Sequence, residues 1–229
     1  MLHVDRLCVA YGQSEVIHSV SFALQAGETL AVMGRNGMGK TTLLKALIGM
    51  LPAQSGSIRI GTTELAGLRS YERVKAGLGF VPQGRMIFSH LTVEENILTG
   101  MGEAKMTVVP PWIFQCFPAL GDMRLRQGGN LSGGQQQQLA ISRALVGNPK
   151  VLILDEPTEG IQPSIVKEIA RTLAKLQLER GFAMLVSEQV LSFAMEVADR
   201  FLIIERGEFV HEALHGDVDA AHIQAFLTI

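Results

Sequence analysis

Gly34-Arg35-Asn36-Gly37-Met38-Gly39-Lys40-Thr41-Thr42 decides how this 229-residue chain is read. The stretch has the form GxxxxGK[ST] with a second threonine. It follows a strand-like run from Glu28 to Met33 and leads into the helix-like Leu43-Leu44-Lys45-Ala46-Leu47-Ile48. Strand, glycine loop and helix in that order make a phosphate cradle. The glycines let successive N–H groups turn inward, and the helix adds the positive end of its dipole. Lys40 is placed to reach β- and γ-phosphates and Thr41 to ligate Mg²⁺. A nucleoside triphosphate is expected here; the plain alternative is a glycine-rich turn with a chance Lys-Thr.

Composition narrows the rest. Hydrophobic residues make up 47% of the chain, which suits one mid-sized domain with a large core. No window approaches the ~18 uninterrupted apolar residues of a membrane span. The start, Met1-Leu2-His3-Val4-Asp5-Arg6, lacks the pattern of a signal peptide, so the chain is expected to stay in the cytoplasm. A net charge of −2 offers no basic footprint for nucleic acid. Cys8, Cys116 and the six histidines show no metal-ligand spacing.

In chain order, Leu2-His3-Val4 and Leu7-Cys8-Val9-Ala10 read as two short strands ending at Tyr11-Gly12. Tyr11 could stack on an adenine face or serve as an edge aromatic. Gly79-Phe80-Val81 is a short strand ending at Pro82-Gln83-Gly84, where Gln83 could touch Mg²⁺ or an attacking water, or be a loop residue only. From Leu91 to about Val146 the pattern is helical, with Thr92 an N-cap candidate and Pro118 stopping a helix over Ile113–Phe117. Trp112, Phe114 and Phe117 are read as core.

Two further stretches carry chemistry. Leu131-Ser132-Gly133-Gly134-Gln135 opens a helix. Ser132 is either a simple N-cap or, with the N–H groups of Gly133 and Gly134, a second anion site about ninety residues after the first. Val151-Leu152-Ile153-Leu154 suits a strand buried on both faces, yet it ends in Asp155-Glu156. Buried charges need partners. Mg²⁺ held by Asp155, with Glu156 polarising a water toward the γ-phosphate, supplies the reason.

With these motifs in this order, the chain resembles the ATP-binding cassette (ABC) ATPases over essentially its whole length. The LSGGQ signature at Leu131–Gln135 carries most of that likeness. The resemblance implies an α/β fold: a P-loop NTPase core with a mainly parallel sheet, an N-terminal antiparallel β subdomain and an inserted helical subdomain. Residues 1–84 and 147–229 would form the core with its β subdomain, and about 85–146 the helical, signature-bearing part. Position by position, Tyr11 matches the adenine-stacking aromatic, Gly34 to Thr42 the Walker A loop, and Gln83 the Q-loop glutamine. Asp155 and Glu156 match the Walker B aspartate and catalytic glutamate. Leu131, Ser132, Gly133, Gly134 and Gln135 would contact nucleotide across a dimer.

Finer detail resembles importers of branched-chain amino acids and, more closely, of urea and short amides. It rests on Val81-Pro82-Gln83-Gly84-Arg85-Met86-Ile87-Phe88 and Glu156-Pro157-Thr158-Glu159-Gly160-Ile161-Gln162-Pro163. Two positions depart from the general pattern. The switch histidine is Gln189, which can hydrogen-bond a phosphate or water but does not titrate near neutrality, and the aspartate after Walker B is Gln162. The resemblance further implies ATP and Mg²⁺ as ligands. The implied partners are a paralogous ATPase subunit (a heterodimer ahead of a homodimer), membrane permease subunits and, indirectly, a solute-binding protein. The chain would sit at the cytoplasmic face of the plasma membrane. The rivals are a soluble ABC ATPase of DNA repair or translation and a scaffold that binds ATP without turnover.

Overall fold

The computed structural model describes residues 1–102 and 107–228; residues 103–106 of the expected helical segment lie outside them. The two runs expected near the N-terminus form one strand, β1 (Leu2–Tyr11), paired antiparallel with β2 (Ser14–Leu24). Between them the register shifts after Val4 and Arg6 takes φ 44°, so the strand bends without ending. Next come β3 (Thr29–Met33), α1 (Lys40–Ile48), β4 (Ser55–Ile60), β5 (Thr63–Glu64), α2 (Ser70–Ala76) and β6 (Leu78–Val81). Helices α3 (Val93–Leu98), α4 (Pro111–Cys116), α5 (Pro118–Asp122) and α6 (Gly133–Leu145) precede β7 (Val151–Asp155). The chain continues through α7 (Pro163–Arg180), β8 (Ala183–Glu188), α8 (Leu191–Val197), β9 (Arg200–Glu205), β10 (Glu208–Leu214) and α9 (Ala220–Leu227). Pro118 ends α4 as expected but opens α5 at once. A fixed φ and a missing N–H suit a first helical turn as well as they forbid an interior one.

One sheet is antiparallel in the order β2-β1-β4-β5. The other runs β10-β9-β3-β8-β7-β6 and is parallel except at the β10 edge. The apolar run of β7 shows why that sheet must be covered on both faces. Val151 and Ile153 enter the core shared by α1 and the antiparallel sheet, whereas Leu152 and Leu154 enter the core built by α3, α6 and α7. Each such side chain contributes roughly 1.5–3 kcal/mol by leaving water. Trp112 packs at the rim of the second core under Arg180, and Phe114 and Phe117 are buried in it.

In this sheet the carboxyl ends of β3, β8, β7 and β6 lie side by side, with Met33 opposite Glu188, Asp155 opposite Ser187 and Val81 opposite Leu154. The crevice beyond such strand ends is where open parallel sheets take their ligands.

Candidate active site

The loop between β3 and α1 closes around its own lysine. Gly39 precedes α1 at φ 108° and Gly37 sits at φ 81°, conformations that L side chains rarely adopt. At Gly34 a Cβ would lie 2.5 Å from the carbonyl oxygen of Ile204, so the loop tolerates no side chain there. Lys40 Nζ, nearly enclosed, donates to Gly34 O at 2.7 Å and Arg35 O at 3.1 Å, and pairs with Glu156 Oε1 at 3.1 Å.

The end of β7 meets this loop. Asp155 Oδ1 accepts the Ser187 hydroxyl at 2.6 Å and the Thr41 hydroxyl at 3.1 Å, while Oδ2 has no hydrogen-bond donor among the described residues. Burial holds the Asp155 carboxyl above the usual carboxylate range, against the lowering effect of the two hydroxyls. A buried carboxylate with one oxygen held and a threonine hydroxyl beside it is the donor set of a hard divalent cation, so the residues fit Mg²⁺. Glu156 stands at φ 46°, a costly conformation for a residue with a side chain. Its N–H donates to Ser187 O at 3.0 Å, and its Oε2 accepts from Gln83 Nε2 at 3.3 Å.

These groups open on one polar cavity of about 280 Å³, lined by Asn36, Gly37, Gly39, Lys40, Thr41 and Thr42 with Val16, Gln83 and Glu156. Four separate stretches of sequence, the β2 strand, the glycine loop, Gln83 and Glu156, thus converge. Arg35 reaches outward, 3.9 Å from Glu205, and contributes its carbonyl to Lys40. Met38 turns away too; its sulfur and carbonyl hold the β9–β10 turn through the N–H groups of Arg206 and Gly207.

Tyr11, Gln189 and the Leu131–Gln135 stretch are not among the residues that line the cavity. Tyr11 is half-exposed at the tip of the β1–β2 hairpin, opposite Ser14. Gln189 is exposed just beyond β8. Leu131 to Gln135 lie apart, where Ser132 caps α6: its hydroxyl accepts from Gln135 N at 3.3 Å and Gln135 Oε1 accepts from Ser132 N at 2.9 Å.

Two residues at the end of β8 escaped the sequence reading. Ser187 holds both acidic residues, and only its register opposite Asp155 reveals that role. Glu188 is almost wholly buried and accepts from Thr158 Oγ1 at 2.5 Å and Thr158 N at 3.1 Å, besides the N–H groups of Gln189 and Val190. Burial raises its carboxyl from the usual range. The available signal was two polar residues closing an apolar strand, Ser187-Glu188.

A second, larger cavity of about 460 Å³ lies away from this chemistry. It is an apolar groove whose walls include Tyr71, Val74, Met86, Phe88 and Arg143. Met86 and Phe88 are more than half exposed. No helix among the described residues is long and apolar enough to cross a membrane.

Comparison with known proteins gives consistent results. The family described as ABC transporter matches residues 17–159. The high-affinity branched-chain amino acid transport ATP-binding protein BraG of Pseudomonas aeruginosa is 39% identical over 213 residues, covering 92% of this chain and 91% of that one. The arginine transport ATP-binding protein ArtM of Bacillus subtilis is 34% identical over 218 residues, covering 93% and 90%. Among solved structures, a nucleotide-free ATP-binding cassette from an ABC transporter superposes with a TM-score of 0.85 at 23% identity, covering 99% of this chain and 94% of that chain. A dimeric post-hydrolysis cassette bound to ADP and Pi gives 0.83 at 25% identity, covering 94% and 99%.

Proposed function

The chain belongs to the ABC transporter family and is an ATPase of that family, and from this we propose that it powers a membrane importer. The observation that carries the reading is the convergence of Lys40, Thr41, Gln83 and Glu156 on one cavity, with Asp155 held behind them.

Lys40 waits on Glu156 and exchanges that carboxylate for a γ-phosphate oxygen. Glu156, released from the lysine and still bonded to Gln83, then orients the attacking water and takes its proton. Asp155 and Thr41, with Gln83 in reach, would hold Mg²⁺, which when bound neutralises charge across the β- and γ-phosphates. Tyr11 stacks on the adenine from the hairpin tip. The exposed amide of Gln189 reaches the γ-phosphate side only when the site closes.

Ser132 and the start of α6 serve the nucleotide of a partner subunit, so ATP holds a pair together and phosphate loss reopens it. A paralogous ATPase subunit is favoured as that partner. The apolar groove beside Met86 and Phe88 supports docking of a membrane permease subunit there, with the chain at the cytoplasmic face of the membrane as part of the same proposal. A solute-binding protein joins only through that permease. The relatives are named for branched-chain amino acid and arginine transport, which favours amino acids as the solute. Urea and short amides remain the second class.

Ser132→Arg tests the pairing. ATP binding to the isolated chain is expected to stay within twofold, because Lys40, Thr41 and Tyr11 are untouched. ATP-driven pairing and hydrolysis at the partner's Walker A loop are expected to be lost. If Ser132 is only a cap, the variant instead loses ~1 kcal/mol of stability and pairs normally.

A further inference from the structure

Between the cavity and the groove runs Gly84-Arg85-Met86, and its backbone is unusual. Arg85 takes φ 67° and Met86 φ 46°, two successive side-chain-bearing residues in the left-handed region. Such strain persists only where the surroundings impose it. Here they do. Arg143, near the end of α6, donates from Nη1 to Met86 O at 2.8 Å and from Nη2 to Arg85 O at 3.1 Å, so one guanidinium grips both strained peptides.

The turn aims the Arg85 side chain across to two other motifs. Its Nη2 donates to Glu159 O at 2.9 Å, in the loop that follows Glu156. A Cβ built on Gly133 would lie 3.4 Å from the same guanidinium, and one on Gly160 3.5 Å from it. The first glycine of α6 and the glycine of the post-Glu156 loop therefore both face Arg85 at contact distance. Arg143 thus fastens the strained turn to the end of α6, and the Arg85 guanidinium packs against its start while bonded to the loop after Glu156.

We propose that Arg85 is a positioning residue: it fixes the start of α6 against the loop after Glu156 and makes both follow the turn that borders the groove. This rests on the reading in which the α6 start meets a partner's nucleotide. A permease segment pressing on Met86 would displace the Arg85 turn. The two segments that face the partner would then shift together, while Lys40 and Thr41, on another loop, stay in place.

Amide hydrogen exchange on the full-length chain, free of nucleotide, tests this with Arg85→Ala and Arg85→Lys. In Arg85→Ala, the hydrogen-bonded amides of Ser132, Gln135 and Gln136 and of Thr158, Glu159 and Ile161 are expected to exchange about tenfold faster or more. Amides of the β3–α1 loop, the ATP affinity and the melting temperature should stay close to wild type. Arg85→Lys, able to reach Glu159 O with one donor, is expected to restore part of the protection in 158–161. Unchanged exchange in either segment would overturn the proposal. So would a loosening spread over the chain with a lowered melting temperature, which marks a merely structural arginine. Failure of the wild-type chain to bind ATP would count against the function proposed above and leave the exchange result to judge Arg85 separately.

Discussion

Replacing Glu156 with glutamine is expected to tighten ATP binding while it stops turnover. Lys40 Nζ lies 3.1 Å from Glu156 Oε1, with the two side chains only 3% and 7% exposed. An arriving phosphate must take the ammonium from that carboxylate. At an effective dielectric of about 20, unit charges this close attract by about 5 kcal/mol. Part of that survives in the variant, since a glutamine oxygen still accepts a charged hydrogen bond of about 1.5–3 kcal/mol. The carbonyls of Gly34 and Arg35 keep their hold on the lysine in both proteins. The difference leaves at least about 2 kcal/mol, or roughly 30-fold or more in affinity. The same loss should lower the melting temperature of the free variant by roughly 4–8 °C. Hydrolysis should fall by ~10²-fold or more with the general base gone. Calorimetric titration with ATP in EDTA isolates the lysine from any metal contribution. Equal or weaker binding by the variant would refute the idea that Glu156 competes with phosphate for Lys40.

Ser187→Ala removes the shorter hydroxyl contact to Asp155 and is expected to weaken Mg²⁺-dependent ATP binding about tenfold, as outer-shell losses do, with affinity in EDTA unchanged; an equal loss in both conditions would count against it. Asp155→Asn should change the pH dependence of stability. The folded carboxyl is raised by burial, so the folded chain keeps a proton that the unfolded chain gives up, and wild-type stability falls as pH rises from the ordinary carboxylate range through the raised value. The variant lacks that loss, so its stability relative to wild type should rise with pH across that window, and a constant gap in melts would contradict the assignment.

The sequence made the glycine loop, the doubly buried β7 and the α6 cap legible because each is local: a spacing, an apolar run, a serine three residues before a glutamine. What it hid depends on register or long-range contact. Ser187 matters because β8 pairs in parallel with β7, a fact no window contains. Arg143 reaches back 57 residues to Met86, and nothing about an arginine late in a helix announces that. The Lys40–Glu156 pair joins two motifs that had each been read as facing a ligand. The single bent β1 looked like two strands because Asp5-Arg6 breaks the apolar alternation at the bulge.

The two helix starts explain why one chain is half a machine. The first backbone N–H groups of any helix lack partners within it and seek an acceptor. At α1 they open, with Lys40 beside them, on the polar cavity. At α6 the Ser132 hydroxyl accepts from Gln135 N alone, so the cap leaves the N–H groups of Gly133 and Gly134 to be satisfied from elsewhere. Ser132 is exposed, and none of Leu131 to Gln135 lines the cavity. An anion carried by another molecule suits that need, because the helix dipole adds to the hydrogen bonds. A second cassette presenting its γ-phosphate is such an anion. In the pair proposed above, closure would set Glu156 of one chain and Ser132 of the other about the same phosphate, so that hydrolysis would remove the group that holds the two chains together.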